Sequence, residues 1–263
     1  MATAVFRFYA ELNDFLPPHQ RRRDNEIEFR SPCPLRHLIE TFGVPHTEVE
    51  VILMNGRSVG LDERVEEGAR VSVYPVFEAL DVSPLLKLRE RPLRDPRFLA
   101  DAHLGRLARY LRLLGFDTRY GNDPGDRALA EFSAAEHRIL LTRDRALLMR
   151  RDITHGCYIR AGRPLEQLAY VLERCDLHRL MRPFTRCMKC NAPLRKVGKA
   201  EVLAQLLPAT RAHYEEFWRC SGCGQVYWKG GHYARLQELV RGALEYSSSG
   251  ATAQDQSGWK QSP

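Results

Sequence analysis

Seven residues in this chain have the type and spacing to do chemistry. Four are cysteines. Cys187 and Cys190 form one Cys-x-x-Cys knuckle, and after 29 intervening residues Cys220 and Cys223 form a second. Each short turn brings two sulfurs within reach of one ion, and two such turns complete the tetrahedral thiolate site that zinc favours. Four unpaired structural thiols or an iron–sulfur cluster are the competing readings, and nothing else in the sequence points to redox work. Four thiolates leave no position open for water, so such a zinc is structural and catalysis must come from elsewhere.

The other three are aspartates. Asp101 follows the apolar run Phe98-Leu99-Ala100, Asp144 follows Leu140-Leu141-Thr142-Arg143, and Asp126 stands 18 residues before Asp144. In an open parallel sheet, strand ends and helix starts meet at one edge. Three carboxylates gathered there repel one another unless a cation neutralises them, and carboxylate oxygens suit Mg²⁺ or Mn²⁺. Such ions orient water and stabilise in-line displacement at a phosphodiester. The alternative is that all three are helix N-caps at one sheet edge. Arg97, Arg106, Arg109, Arg112, Arg119, Arg143 and Arg145 accumulate in the same stretch, and Arg106, Arg109 and Arg112 lie off the Leu stripe of their helix. That placement favours a phosphate-binding surface over a merely solvated one.

The elements that must position these groups follow from periodicity. Residues 97–180 alternate short apolar strands with helices: strands at 97–100, 116–120, 139–142 and 157–159, and helices led by Leu104–Leu114, Asp126–His137, Arg145–Arg151 and Leu165–Cys175. Repeated βα units of this kind build a parallel sheet with helices on its faces. Residues 1–78 read β-β-α-β-β, with alternating strands around Val5–Tyr9 and Glu26–Arg30, a helix carrying Leu35, Leu38, Ile39 and Phe42, and an Asn55-Gly56 turn. Residues 79–96, with Pro84, Pro92 and Pro96 among charges, read as a linker. Residues 184–246 hold the knuckles and a helix from Tyr233, and the Ser/Gly/Gln-rich 247–263 reads as a disordered tail.

Composition bounds the rest. The 263 residues carry a formal charge of +7, which suits either a solvated surface or a polyanionic partner. Seven cysteines without an export signal argue against a disulfide framework and for a reducing, cytoplasmic compartment. No run approaches the length of a membrane helix. Cys33, Cys157 and Cys175 read as core residues.

The string Pro96-Arg97-Phe98-Leu99-Ala100-Asp101-Ala102-His103-Leu104-Gly105-Arg106-Leu107-Ala108-Arg109-Tyr110 is distinctive. So are Ile139-Leu140-Leu141-Thr142-Arg143-Asp144, Arg186-Cys187-Met188-Lys189-Cys190-Asn191 and Tyr227-Trp228-Lys229-Gly230-Gly231-His232. Together, over about 96–235, they resemble the Mut-seven-C family, PIN-like ribonuclease domains with a C-terminal zinc ribbon. The resemblance implies an α/β fold with a PIN-like parallel sheet between helices, metal-dependent RNA cleavage, and Asp101, Asp126 and Asp144 on the PIN acidic positions. It makes RNA the partner and gives Trp228 and His232 a place in RNA contact. The PIN pattern usually adds a further acid, often a Glu on a helix, between its first and third positions, and the interval from Asp101 to Asp126 is too short to hold it. Glu131 and Glu136 share the Asp126 helix. The competing expectation is therefore an RNA-binding or adaptor protein with a degenerate site. Residues 1–78 resemble the ubiquitin-like β-grasp domain that precedes such regions, and also the sulfur carriers of thiamin and molybdopterin synthesis. Those carriers need a terminal Gly-Gly, whereas here the strand runs on into Val76–Leu80. A protein-interaction module is the expectation.

Overall fold

The computed structural model describes residues 1–75, 96–121 and 125–248, with side chains described to residue 243. The expected linker, apart from Pro96, lies outside the described residues. So do Asp123 and, from residue 249 onward, the expected tail.

The first unit contains β1 (Ala2–Phe8), β2 (Asn25–Phe29), β3 (Cys33–Pro34), α1 (Leu35–Thr41), β4 (Val49–Met54), β5 (Arg57–Ser58), β6 (Arg64–Val65) and β7 (Ala69–Pro75). Its main sheet runs β2-β1-β7-β4-β5. β1 and β7 pair in parallel, while β1–β2 and β4–β7 are antiparallel. Alternation in β1 buries Ala4, Phe6 and Phe8 against Leu35, Leu38 and Ile39 of α1. The helix starts at Leu35, because Cys33–Pro34 just before it is used in pairing with β6. Asn55 and Gly56 both take positive φ, 52° and 78°, as a tight hairpin turn demands.

The second unit is the expected parallel sheet. Its strands are β8 (Phe98–Ala100), β9 (Thr118–Tyr120), β10 (Ile139–Thr142) and β11 (Gly156–Tyr158), in the order β11-β10-β8-β9. All three pairings are parallel. Leu104, Leu107, Ala108 and Leu111 of the α2 stretch (Gly105–Leu113) share one core with Leu168, Val171 and Leu172 of α5 (Pro164–Arg174). On the other face, Leu129 and Ala130 of α3 (Asp126–Glu136) and Leu147 and Leu148 of α4 (Arg145–Leu148) pack with Leu99 and Leu140.

The third unit, 184–248, has β12 (Leu194–Val197), β13 (Phe217–Cys220) and β14 (Val226–Trp228) in an antiparallel sheet. Between β12 and β13 lie two short helices, α6 (Lys199–Val202) and α7 (Pro208–His213), which the sequence patterns did not signal. The final helix, α8 (Gly231–Ser248), sends Val240, Leu236 and Leu239 back onto the α2/α5 core. No helix among the described residues is long and apolar enough to cross a membrane.

The first two units share a polar, fully buried seam. Glu48 has no solvent exposure. Its Oε1 accepts from the Tyr158 N–H of β11 at 2.6 Å, and its Oε2 lies 3.4 Å from Arg174 Nη2. β11 is the outer strand of its sheet, so Glu48 occupies a backbone donor that a bare edge would expose. Beside it, His46 Nε2 donates to the Ile153 carbonyl at 2.9 Å while Nδ1 lies 2.7 Å from Glu40 Oε1. Burial works against the Arg174 charge, but Glu48 outweighs it and holds the guanidinium protonated. Glu48→Ala should leave that cation buried without its counter-ion and cost about 3–5 kcal/mol. Urea denaturation at pH 7 checks this, and a loss under about 1 kcal/mol, the range of an exposed pair, would show that the seam is not held this way.

Candidate functional site

Asp101, Asp126 and Asp144 line one open cleft of ≈ 440 Å³ at the carboxyl ends of β8 and β10, together with His103, Arg143 and Arg145. Each aspartate arrives there for a local reason. Asp101 ends β8 and caps a 3-10 turn, Ala102–Leu104, with Oδ1 accepting from Ala102 N at 2.6 Å. Asp144 caps α4, with Oδ1 accepting from Ala146 N at 2.7 Å and Leu147 N at 3.3 Å. Asp126 is different. Gly125 is the N-cap of α3, and the exposed Asp126 carboxylate has no hydrogen-bond partner among the described residues.

Thr142 ties two of the three together. Fully buried at the end of β10, its hydroxyl donates to Asp101 Oδ2 at 2.6 Å and accepts from Asp144 N at 3.0 Å. The sequence reading passed over this residue. Its signal was a lone hydroxyl closing the aliphatic run Ile139-Leu140-Leu141.

The carboxylates are spread around the cleft. Among the described residues, the only group of three or more His, Cys, Asp or Glu with all ligand atoms within 4.8 Å of one another is the cysteine set. The spread suits Mg²⁺ or Mn²⁺ better than a closed protein cage, because Mg²⁺ takes one or two carboxylates and fills its remaining positions with water and phosphate oxygens. The donors are all oxygens, as hard cations require.

The two cysteine knuckles are near copies. Asn191 N bonds the Cys187 carbonyl and Gly224 N bonds the Cys220 carbonyl, and the residue after each second cysteine is left-handed, with φ 76° at Asn191 and 73° at Gly224. Asn and Gly are the types that tolerate this. The sulfurs of Cys187 and Cys223 lie 3.7 Å apart, and those of Cys190 and Cys220 3.3 Å apart. Burial opposes ionisation of Cys187, but the Tyr227 hydroxyl at 3.1 Å and the Cys190 and Lys189 N–H groups outweigh it, lowering the thiol to about 7. These four residues are positioned to bind a metal ion.

The knuckles sit at the sheet edge opposite the carboxylates. Asn191 Oδ1 accepts from Thr118 N at 3.0 Å, and its Nδ2 donates to Asp117 Oδ1 at 2.7 Å, both at the start of β9. Asp117 is the hub of this joint: Arg138 also donates to it at 2.7 Å, and Arg186 lies 3.7 Å away. Gly115 is obligatory beside it. Its φ is 94°, and a Cβ there would stand 2.2 Å from the Arg182 carbonyl.

The arginines sort themselves between the two edges. Arg143 and Arg145 line the cleft, and Arg106 and Arg109 are exposed on α2, which begins beside it. Arg112 corrects the expectation of a surface phosphate contact. It is 4% exposed, and its guanidinium donates to the carbonyls of Thr118, Met188 and Lys189. Arg112 lies one helical turn after the buried Ala108, and the docked knuckle segment covers that side of α2. Arg97 precedes β8 and so stands at the opposite edge from Asp101. Trp228 and His232 are exposed on the metal-ribbon unit and do not line the cleft. Nor do the two α3 glutamates. Glu131 pairs with Arg127, and Glu136 pairs with Arg138 and Arg119.

Burial raises the Asp117 carboxyl, but the bonds from Arg138 and Asn191 outweigh this and hold it below the usual range. A depressed folded-state value stabilises above the unfolded value and is lost as pH falls through the folded one. The stability gap between wild type and Asp117→Asn should therefore be flat from about pH 8 to 5 and close below about pH 4. Thermal melts across that range measure it, and a gap that widens in acid would refute the assignment.

Two family models match the chain. The one described as Mut7-C RNAse domain matches residues 96–240, more than half of the chain, and the one described as Mut7-C ubiquitin matches residues 1–81. No curated protein matches. A solved structure described as a putative molybdopterin converting factor, subunit 1, from Pyrococcus furiosus is 22% identical over 29% of this chain and 100% of its own, with a TM-score of 0.24, too low to transfer any property.

Proposed function

Because this chain belongs to the Mut7-C RNAse domain family, with a Mut7-C ubiquitin domain ahead of it, we propose that it is a divalent-metal-dependent ribonuclease whose site is the aspartate cleft. The observation that carries this reading is the convergence of Asp101, Asp126 and Asp144 with Arg143 and Arg145 on one cleft. Asp101, Asp126 and Asp144 would hold one or two Mg²⁺ or Mn²⁺ ions, which when bound activate water and stabilise charge on the phosphodiester. The capping bonds do not compete with this role, because a carboxylate offers about four acceptor sites. Asp101 spends one on Ala102 N and one on Thr142, which aims it. Asp126 keeps both oxygens free among the described residues. Arg143 and Arg145, with Arg106 and Arg109 on the adjoining helix, would grip backbone phosphates. Charge supports the assignment: residues 96–248 hold 26 Lys/Arg against 16 Asp/Glu, whereas residues 1–75 hold nine against twelve.

In this reading 1–78 is a β-grasp unit able to meet a protein partner, 97–180 the nuclease sheet, and 184–246 a zinc ribbon. The ribbon would carry structural Zn²⁺ on Cys187, Cys190, Cys220 and Cys223, and would add Trp228 and His232 to RNA binding only where a strand extends past the sheet. A reducing, cytoplasmic setting suits the four thiols.

A second reading, an RNA-binding or adaptor protein with a degenerate site, is favoured by one observation. Among the described residues no glutamate lines the cleft, and Glu131 and Glu136 are engaged elsewhere. Cleavage assays with and without Mn²⁺ separate the two. Under the nuclease reading, Asp101→Asn abolishes metal-dependent cleavage, and Thr142→Val lowers apparent metal affinity about 10–100-fold, as losing an outer-shell partner does. Cleavage unchanged by Asp101→Asn would sink it.

For the ribbon, elemental analysis should find one zinc per chain, and Cys220→Ser should lower it without changing Mn²⁺ binding at the aspartates. Chelation should unfold 184–235 while the parallel sheet stays folded, since binding such an ion contributes on the order of 10 kcal/mol to a small unit. Full-length protein that is folded, zinc-free and reactive at all four cysteines would refute this.

A further inference from the structure

Phe15 belongs to the first unit, yet it touches Arg145, which lines the aspartate cleft in the second. Arg145, adjacent to Asp144 and lining the cleft, places its guanidinium 5.1 Å from the Phe15 ring centroid and 5.3 Å from that of Tyr158. Its Nη1 donates to the Phe15 carbonyl at 3.3 Å. From the same unit, Arg160 sits 4.2 Å from the Phe15 ring and donates to the Glu11 carbonyl at 3.2 Å. Phe15 is 4% exposed, with Tyr158 tilted against it at a centroid distance of 5.4 Å.

A free arginine samples many rotamers, and this one is restrained by two ring faces and a carbonyl. A guanidinium has five N–H donors, and the bond to Phe15 uses one. The remaining donors stay available to a ligand in the cleft, delivered from a fixed direction. Tyr158 supplies one ring face from the parallel-sheet unit, whereas the second ring face and the accepting carbonyl both come from Phe15 of the first unit.

We propose that Phe15 is a positioning residue for Arg145, so that the β-grasp unit supplies part of the RNA-phosphate site in cis. The proposal rests on the nuclease reading for the nature of the ligand, an RNA backbone, but not for cleavage. If Phe15 served only to pack the seam, its loss would lower stability without acting through Arg145.

The test is a double-mutant cycle in the full-length protein. Fluorescence anisotropy measures binding of a labelled single-stranded RNA oligonucleotide without added Mg²⁺ or Mn²⁺. Phe15→Ala should weaken binding about three- to tenfold and Phe15→Tyr less than about twofold, because the tyrosine keeps the ring face. Arg145→Ala should weaken it comparably, and the double variant should bind no worse than Arg145→Ala alone. If Phe15→Ala fails to fold, Phe15→Leu keeps apolar volume without the ring and enters the same cycle. Unchanged binding, or an undiminished Phe15 effect in the Arg145→Ala background, overturns the proposal. Coupling between the two residues together with cleavage insensitive to Asp101→Asn would sustain it while removing the nuclease reading. Cleavage that depends on Asp101 without coupling would do the reverse, and wild type that binds no RNA defeats both.

Discussion

A single buried carboxylate fixes the arrangement of the first two units. Glu48 is removed from water, which is costly for an ion unless its oxygens are fully engaged. They are engaged only when the β-grasp unit lies against β11, where Tyr158 supplies an edge N–H and Arg174 a counter-charge. A hydrophobic seam could slide, whereas this one has a single register in which its charges are satisfied. That register also sets Phe15 between Arg145 and Arg160. The contact that covers the sheet edge thus reaches the rim of the cleft, and the first unit is bound into the parallel-sheet unit rather than tethered to it.

The parallel sheet then separates two chemistries by its own length. Carboxylates gather at the carboxyl ends of the strands and the metal knuckles dock at the amino ends, through Asp117, Asn191, Arg138 and Arg112. With three to four residues per strand, the edges stand about 10–13 Å apart. This explains why the arginines divide as they do. Those near the carboxylates keep most of their donors for solvent or ligand, Arg145 giving one to the Phe15 carbonyl, while those near the knuckles give theirs to carbonyls and to Asp117. A ribbon held at the far edge braces the parallel sheet first.

N-cap and metal-ligand readings of the aspartates, posed as rivals by the sequence, are compatible for Asp101 and Asp144. Capping uses one oxygen of each and fixes the rotamer; among the described residues Asp144 keeps its second oxygen unbonded, and Asp101 Oδ2, which accepts from Thr142, keeps further acceptor capacity. Only Asp126 departs from the rivalry altogether, since Gly125 takes the capping position.

Much was legible in the sequence because local rules act within a few residues. Strand runs ending at Asp101 and Asp144, the helix opening at Asp126, the paired knuckles and the Asn55-Gly56 turn all follow from periodicity and from the conformations that Asn and Gly permit. The resemblance of residues 96–235 to the Mut-seven-C family was legible for the same reason, in motifs contiguous along the chain. What the sequence could not reveal is contact between distant segments. Arg112 and Arg109 are both arginines of one helix, and only the docking of residues 182–189 buries one and leaves the other in water. Thr142 is an ordinary strand threonine until β8 sets Asp101 beside it. Glu48 is one acid among many until β11 arrives, 110 residues later. Residue type and spacing determined which groups can bind metal or phosphate, and tertiary structure decided which of them face the same cleft, because desolvation and hydrogen-bond partners are set by neighbours in space.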